Sequence, residues 1–494
     1  MSNQLSVLFL TGLFLVQCFD LTGMPSGKDQ SPGKPNIVFI FTDDQRYNTI
    51  HALGGDEVIT PNLDALVAGG TTFTHAYNMG GWHGAICVAS RTMLLTGKSL
   101  WQAQKIERDL SGLVTAEQLW VQQMKKAGYE TYMTGKWHVR TDPSKIIDHV
   151  VNERPGMPNQ TPEGYNRPLS ENDTLWTPWN MKFEGFWKGG RHWSEVLADD
   201  AVGFMESAAQ KPGPFFMYLA FNAPHDPRQA PKKFVDLYPL EKIRVPASYM
   251  DLYPFREEIG AGAGLRDEQL APFPRTAYAV KKQIQEYYAS ITHLDEQIGR
   301  ILSALARTGK LQNTYIIFTS DHGLAVGHHG LMGKQNMYDH SVRVPLVISG
   351  PGIPKGERRP QQVYLQDVAP TAYQMAKIDK PEGVFFNSML PMAGNAKAKS
   401  PYDEIYGAYM NLQRMVRTDR YKLIVYPEAK KLLLFDLQKD PDEMQDLADN
   451  RRHRSVLEEM KTRLTRQQAM LGDTLDLEPL FRSYGGLPAK RKRG

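Results

Sequence analysis

The chain runs to 494 residues, with 58 Lys and Arg against 54 Asp and Glu, a formal net charge of +4, 41% hydrophobic residues and 2 cysteines. That length predicts a large domain with a smaller one beside it. The near balance of charge singles out no polyanionic partner, no nucleic-acid motif is present, and two cysteines exclude a disulfide framework.

From the N-terminus, Leu5 to Cys18 is an apolar run too short to span a bilayer and suited to the core of a secretory signal. Residues 1–24 are therefore expected to direct export, to the periplasm or the extracellular space, with no transmembrane helix. Met1-Ser2-Asn3-Gln4 carries no Lys or Arg, and Gln17 stands where a lipid-anchor motif wants a small residue, so an anchor on Cys18 stays open. Loss of a signal that includes Cys18 leaves Cys87 as the sole thiol, and an exported protein that keeps one cysteine is expected to keep it for chemistry.

Asn36 to Thr42 (NIVFIFT) is a continuous β-branched and aromatic run of the kind that fills a strand buried on both faces, and it ends in Asp43-Asp44. The pattern recurs: Glu130 to Thr134 leads into Gly135-Lys136-Trp137-His138, Phe215 to Phe221 into Asn222-Ala223-Pro224-His225, and Tyr315 to Thr319 into Ser320-Asp321-His322. Helical periodicity lies between, clearest from Lys282 to Arg307, where Ile284, Tyr287, Ile291, Leu294 and Ile298 share a face and Gly309 offers a C-cap. This alternation predicts an α/β domain over residues 32–380: a large, mostly parallel central sheet sandwiched by helices, with ligands outside the carboxyl ends of the strands.

Two excursions, Asp142 to Trp193 and Pro227 to about Pro274, interrupt the alternation, and the first holds Trp176, Trp179, Trp187 and Trp193. Long ordered loops beside a scaffold often shape a site, so both are expected to wall a substrate pocket, the alternative being that the aromatics pack among themselves. His192, Trp193 and Arg228 are the substrate contacts chosen from them. Residues 381–400 read as a small-residue linker. Short strands at Ile405 to Tyr409, Gln413 to Arg417, Tyr421 to Val425 and Leu432 to Asp436, then an amphipathic helix from about Ser455 to Met470, predict a smaller C-terminal antiparallel sheet with a packed helix over residues 401–480. A basic tail, 481–494, follows.

The chemistry centres on Cys87-Val88-Ala89-Ser90-Arg91. If a helix starts at or just before Cys87, Arg91 lies beside it on the same face, and the free N–H groups of the first turn and the helix dipole point at the same spot. That is an anion site with a reactive atom inside it. A phosphatase-type thiolate wants a longer Cys-to-Arg spacing than the Val88-Ala89-Ser90 found here, and a buried structural thiol is the bland alternative. Asp43, Asp44 and Asp321 at one crevice would repel a sulfate or phosphate unless a hard divalent cation lay between them.

Cys-x-Ala-x-Arg followed by Thr92-Met93-Leu94-Leu95-Thr96-Gly97 resembles the motif of the type I, formylglycine-dependent sulfatases of the alkaline phosphatase superfamily, with Ala89 where most members have Pro. Thr-Gly-Lys-Trp-His around Lys136 and His138, Asn-Ala-Pro-His ending at His225 and Gly-Leu-Met-Gly-Lys ending at Lys334 are similar to further family segments, in the family's order. The resemblance runs from Asn36 to about Leu447 and extends to bacterial polysaccharide sulfatases. It implies that Cys87 is converted to formylglycine (3-oxoalanine) by a formylglycine-generating or maturase enzyme. It also implies one calcium ion (Ca2+) held by Asp43, Asp44, the modified Cys87, Asp321 and His322, the last standing where Asn is commoner. Arg91 is then implied to hold the nucleophile, Lys136 and Lys334 the sulfate, His138 to act as the base that regenerates the aldehyde and His225 as the acid at the leaving oxygen. The implied substrate is a sulfated carbohydrate or polysaccharide. Two other readings stay open: a phosphonate or phosphate monoester hydrolase of the same superfamily, and a non-catalytic sulfated-glycan-binding protein in which Cys87 remains a thiol.

Overall fold

Seven consecutive buried residues make Asn36–Thr42 the middle of a sheet, because a strand hidden on both faces needs no polar alternation. The computed structural model describes residues 33–159 and 161–485. The expected export signal, Cys18 and most of the basic tail lie outside the described residues. In chain order the strands are β1 (Asn36–Thr42), β2 (Thr71–Tyr77), β3 (Gly80–Gly81), β4 (Glu130–Lys136), β5 (His149–Arg154), β6 (Phe215–Ala220), β7 (Thr314–Ser320), β8 (Arg343–Val344), β9 (Leu346–Ser349) and β10 (Glu357–Tyr364). Then come β11 (Ile405–Tyr409), β12 (Gln413–Arg417), β13 (Tyr421–Tyr426) and β14 (Lys431–Asp436).

Among the described residues the large sheet has 9 strands in the order β10-β2-β9-β7-β1-β6-β4-β5, with β8 attached to β2. β1 pairs in parallel with β6 and β7, so that Ile37 lies beside both Phe216 and Tyr315. β8 and β9 run antiparallel to their neighbours and make the sheet mixed. The period of two along β1 divides the core. Ile37, Phe39 and Phe41 pack with Leu94, Trp120 and Ala372 on one face, and Val38 and Ile40 with Leu197, Leu294 and Ile298 on the other. The long helix Ala277–Arg307 starts one turn earlier than its apolar stripe indicates, because Thr276 caps it by accepting the Ala279 N–H at 3.1 Å.

The small sheet has the order β14-β13-β12-β11-β3. β11 to β14 are antiparallel, and the helix Arg454–Leu471 covers them with Leu457, Met460 and Leu464. β3 joins in parallel, Gly80 beside Ala408, although it lies more than three hundred residues earlier in the chain. Gly80 has φ 91°, and a side chain there would collide with the Ala408 carbonyl.

Residues 381–400 are less free than a linker would be: Met389, Met392 and Ala393 are buried in the core of the large sheet. The Trp-rich excursion contains the edge strand β5, and its aromatics largely pack locally. Trp187 Nε1 donates to the Pro178 carbonyl at 3.0 Å, and Trp176 lies under the Arg167 guanidinium. No helix among the described residues is long and apolar enough to cross a membrane.

Candidate active site

Strands β7, β1, β6 and β4 are neighbours, so the polar residues just past their carboxyl ends meet. β1 delivers Asp43 and Asp44, β7 Asp321 and His322, β6 His225, and β4 ends in Lys136 with His138 beyond it. Asp44 adopts a left-handed backbone, φ 65°, fixed on both sides: its N–H donates to Asp321 Oδ1 at 3.2 Å and its carbonyl accepts the Tyr287 hydroxyl at 2.6 Å.

The helix Ile86–Thr96 opens onto this crevice, and all 11 of its residues are buried. Its N-cap, Ala85, has no side chain able to satisfy the first-turn N–H groups, which leaves that end polarised. Cys87 Sγ donates to Asp43 Oδ1 at 3.3 Å, lies 3.9 Å from Asp44 Oδ1 and accepts from Lys334 Nζ at 3.0 Å. One turn on, Arg91 donates through Nε to Asp321 Oδ2 at 3.0 Å and through Nη1 to the Lys136 carbonyl at 2.9 Å, while Nη2 stands 3.7 Å from Asp43 Oδ2. Lys136 Nζ makes an ion pair with Asp43.

Burial pushes the Cys87 thiol well up, reinforced by Asp321 and Asp43 and opposed by Lys136 and Lys334. Burial likewise pushes up Asp43, helped by Asp321, and Asp44, where the Lys334 charge opposes it. Asp321 goes the other way: burial opposes, yet Arg91, Lys136 and Lys334 hold it below the usual carboxylate range. Burial lowers His138 to about 2 with help from Lys136, and His322 to about 4.

Three buried carboxylates, Asp43, Asp44 and Asp321, face three buried cations, Arg91, Lys136 and Lys334. A set so balanced has no surplus positive charge for an incoming anion. A divalent cation fits here: one ligand atom from each of Asp43, Asp44, Cys87 and His225 lies within 4.8 Å of the others, and the buried His322 Nε2 has no hydrogen-bond partner. This grouping differs from the expected metal set. Asp321 is turned toward Arg91 and the Asp44 N–H, while His225 stands beside the other three.

Of the expected substrate contacts, His192 and Trp193 are placed elsewhere. His192 caps the helix Trp193–Ala209, accepts the Ser194 N–H at 3.2 Å, places Nε2 3.0 Å from the Gln229 carbonyl and packs against Trp187 and His293. Trp193 is buried beneath Arg154. Arg228 is 1% exposed, too enclosed for a surface contact, and it lies over Tyr287 and donates to Gln283.

Some residues at the site were not singled out by the sequence. Asp226, directly after His225, and the pair Arg266 and Asp267 of the second excursion form a charged rim behind His225 and Lys334. Asp267 Oδ2 accepts from Gln335 Nε2 at 2.9 Å, and Gln335 Oε1 accepts the Lys334 N–H at 3.0 Å, which fixes the loop that carries Lys334.

Comparison with known proteins agrees with this geometry. The sulfatase family model matches residues 35–378, and the model of the N-sulphoglucosamine sulphohydrolase C-terminal region matches residues 327–470. An arylsulfatase of Clostridium perfringens is 27% identical over 471 residues, covering 88% of this chain and 94% of its own. An ulvan-active sulfatase of Formosa agariphila is 27% identical over 479 residues, covering 93% and 86%. A protein solved in complex with its substrate D-glucosamine-2-N,6-O-disulfate shares the fold with a TM-score of 0.71 at 22% identity, over 89% of this chain and 99% of that one. A phosphonate monoester hydrolase from Silicibacter pomeroyi shares it too, with a TM-score of 0.73 at 20% identity over 90% and 97%. With the family model spanning well over half its length, the chain belongs to the sulfatase family and is a sulfuric ester hydrolase.

Proposed function

We propose that this enzyme hydrolyses sulfate esters on a sulfated saccharide, using formylglycine made from Cys87 by a maturation enzyme, and calcium as its divalent ion. The observation that carries this reading is the setting of Cys87: a buried side chain at the open end of a helix, between Asp43, Asp44 and Lys334 and one turn from Arg91. The hydrated aldehyde would supply the nucleophilic oxygen, and the cation would bind the ester oxygens and spread their charge.

The chain's own residues do the rest. Arg91, tied to Asp321 and the Lys136 carbonyl, has a fixed guanidinium beside the nucleophile. Lys136, paired with Asp43, and Lys334, paired with Asp44, bind the non-bridging oxygens as negative charge builds on them. His225 Nε2 faces the cluster and delivers a proton to the departing alcohol. His138, neutral at ordinary pH, takes the proton whose removal restores the aldehyde.

The saccharide substrate is supported by relatives, among them an N-acetylglucosamine-6-O-sulfatase of Bacteroides thetaiotaomicron, 24% identical over 511 residues, and the ulvan-active enzyme. Export to the periplasm or the extracellular space belongs to the same proposal, on the strength of the apolar run Leu5 to Cys18. The test is a comparison of matched aryl sulfate, phosphate and phosphonate esters, together with the mass of the Cys87 peptide from the native host. Preferred sulfate hydrolysis and an aldehyde mass are expected. A preference for phosphonate, or an unmodified thiol in active protein, overturns the reading.

A further inference from the structure

His225 is seated unlike the other histidines of the cluster. Its Nδ1 faces two oxygens of the next residue, the Asp226 carbonyl at 2.8 Å and the Asp226 carboxylate Oδ1 at 3.2 Å. Both only accept, so the hydrogen of the ring lies on Nδ1 and Nε2 is left facing the cluster, 3.5 Å from Asp44 Oδ2. His138 Nδ1, by contrast, is buried without a partner, and His322 Nδ1 meets only the Gly323 carbonyl.

Asp226 is itself 1% exposed and held from two long segments. The Tyr165 hydroxyl donates to Oδ2 at 2.6 Å, and the Arg266 guanidinium stands 3.4 Å from Oδ2 and 3.5 Å from Oδ1. An orienting carboxylate behind a proton-transferring imidazole, with the carboxylate anchored in turn, is the arrangement that fixes ring orientation for catalysis.

Resting on the reading above, in which His225 is the acid, we propose that Asp226 is the positioning residue for leaving-group protonation. It pins the His225 ring so that Nε2 meets the bridging oxygen of the ester, while Tyr165 and Arg266 pin Asp226. For this step the ring takes up a second proton from solvent, at Nε2; as the S–O bond breaks, its electron pair stays on the bridging oxygen, which takes that proton. The Nδ1 hydrogen stays on the ring, bonded to Asp226, and the ring is left neutral.

This makes the effect of Asp226 depend on the leaving group. A sugar alkoxide is strongly basic and needs the proton, whereas 4-nitrophenoxide leaves almost without help. In Asp226→Asn the amide N–H groups must face either His225 Nδ1–H or the Arg266 guanidinium, donors both, so the carboxylate's hold is weakened and the ring keeps the main-chain carbonyl at 2.8 Å as its remaining anchor. We expect kcat on an alkyl or sugar sulfate to fall about 10²–10⁴-fold, kcat on 4-nitrophenyl sulfate to fall less than about tenfold, and KM to move little on either. Tyr165→Phe, which loosens the carboxylate without removing its charge, should show the same pattern more weakly. An equal loss on both substrates overturns the proposal while leaving sulfatase function intact. Failure of the unmutated enzyme on both sulfates overturns the functional reading instead. Nitrogen-15 spectra of histidine-labelled protein, with the His225 signals assigned by their absence in His225→Gln, then decide the positioning separately. A Nδ1–H ring that shifts toward the Nε2–H form in Asp226→Asn supports it, and identical His225 signals in both proteins overturn it.

Discussion

Lys334 Nζ lies 2.7 Å from each carboxylate oxygen of Asp44 and 3.0 Å from Cys87 Sγ, so a single ammonium joins the end of β1 to the start of the Cys87 helix. Its charge is raised in persistence by Asp44, against the cost of burial. Lys334→Met removes the partner of a buried carboxylate and a donor to the ester oxygens at one stroke. An apparent kcat/KM for aryl sulfate lower by about 10²–10³-fold is expected, with a cost of about 3–5 kcal/mol in metal-free unfolding. Steady-state kinetics and urea denaturation read the two effects. Unchanged kinetics would remove Lys334 from the site.

Cys87→Ala deletes the reactive atom but little volume, in a helix whose every residue is packed. Turnover should fall to background while the thermal midpoint stays within a few degrees. Sulfate release at the normal rate would refute the nucleophile.

The metal prediction has a readout independent of turnover. Calcium that binds the Asp43, Asp44 and His322 region of the folded chain should raise its unfolding free energy by about 2.7 kcal/mol at a hundredfold excess over Kd. Asp44→Asn should abolish that rise. A chelator should suppress hydrolysis and added calcium restore it; activity that survives thorough metal removal would contradict the ligand assignment.

Two buried carboxyls outside the site set a pH dependence of stability. Asp295 accepts the Leu63 N–H at 2.7 Å and the Asn62 N–H at 3.1 Å, capping the helix Pro61–Gly69 from another helix, and burial pushes its pKa up to about 7. Asp367, which accepts from Tyr402, Asn387 and Tyr364, is likewise pushed up to about 7 by burial. A folded pKa above the unfolded one, about 3.9, means stability that is fully present below pH 4 and lost as pH rises through 7. Denaturation midpoints should therefore decline from pH 5 to pH 8 through these groups, and less steeply in Asp295→Asn. A steeper decline in that variant would reverse the sign.

The central strands were legible because a strand buried on both faces leaves an unbroken apolar run, and β1 was found at its observed bounds. The crevice followed, since each such run ends in polar residues. His192 and Trp193 misled because an aromatic beside a polar residue in an irregular segment has the same pattern whether it stacks on a sugar or fills a local core. The residues at 381–400 misled in the opposite way: small side chains suggest exposure, but Met389 and Met392 anchor the segment. Arg266 and Asp267 were invisible because their partners come from distant parts of the chain, whereas Asp226 stood next to His225 in plain view.

The pairing of β3 with β11 has a consequence in time. Gly80 and Gly81, a few residues before Cys87, close onto a strand that starts at Ile405, so their place in the fold does not exist until that strand has been made. Roughly three hundred residues separate the two on the growing chain, an interval of about 15–60 s at ribosomal speeds of about 5–20 residues per second. Throughout that interval the turn just before the Cys87 helix lacks the strand that holds it in the finished fold, where the cysteine is 2% exposed.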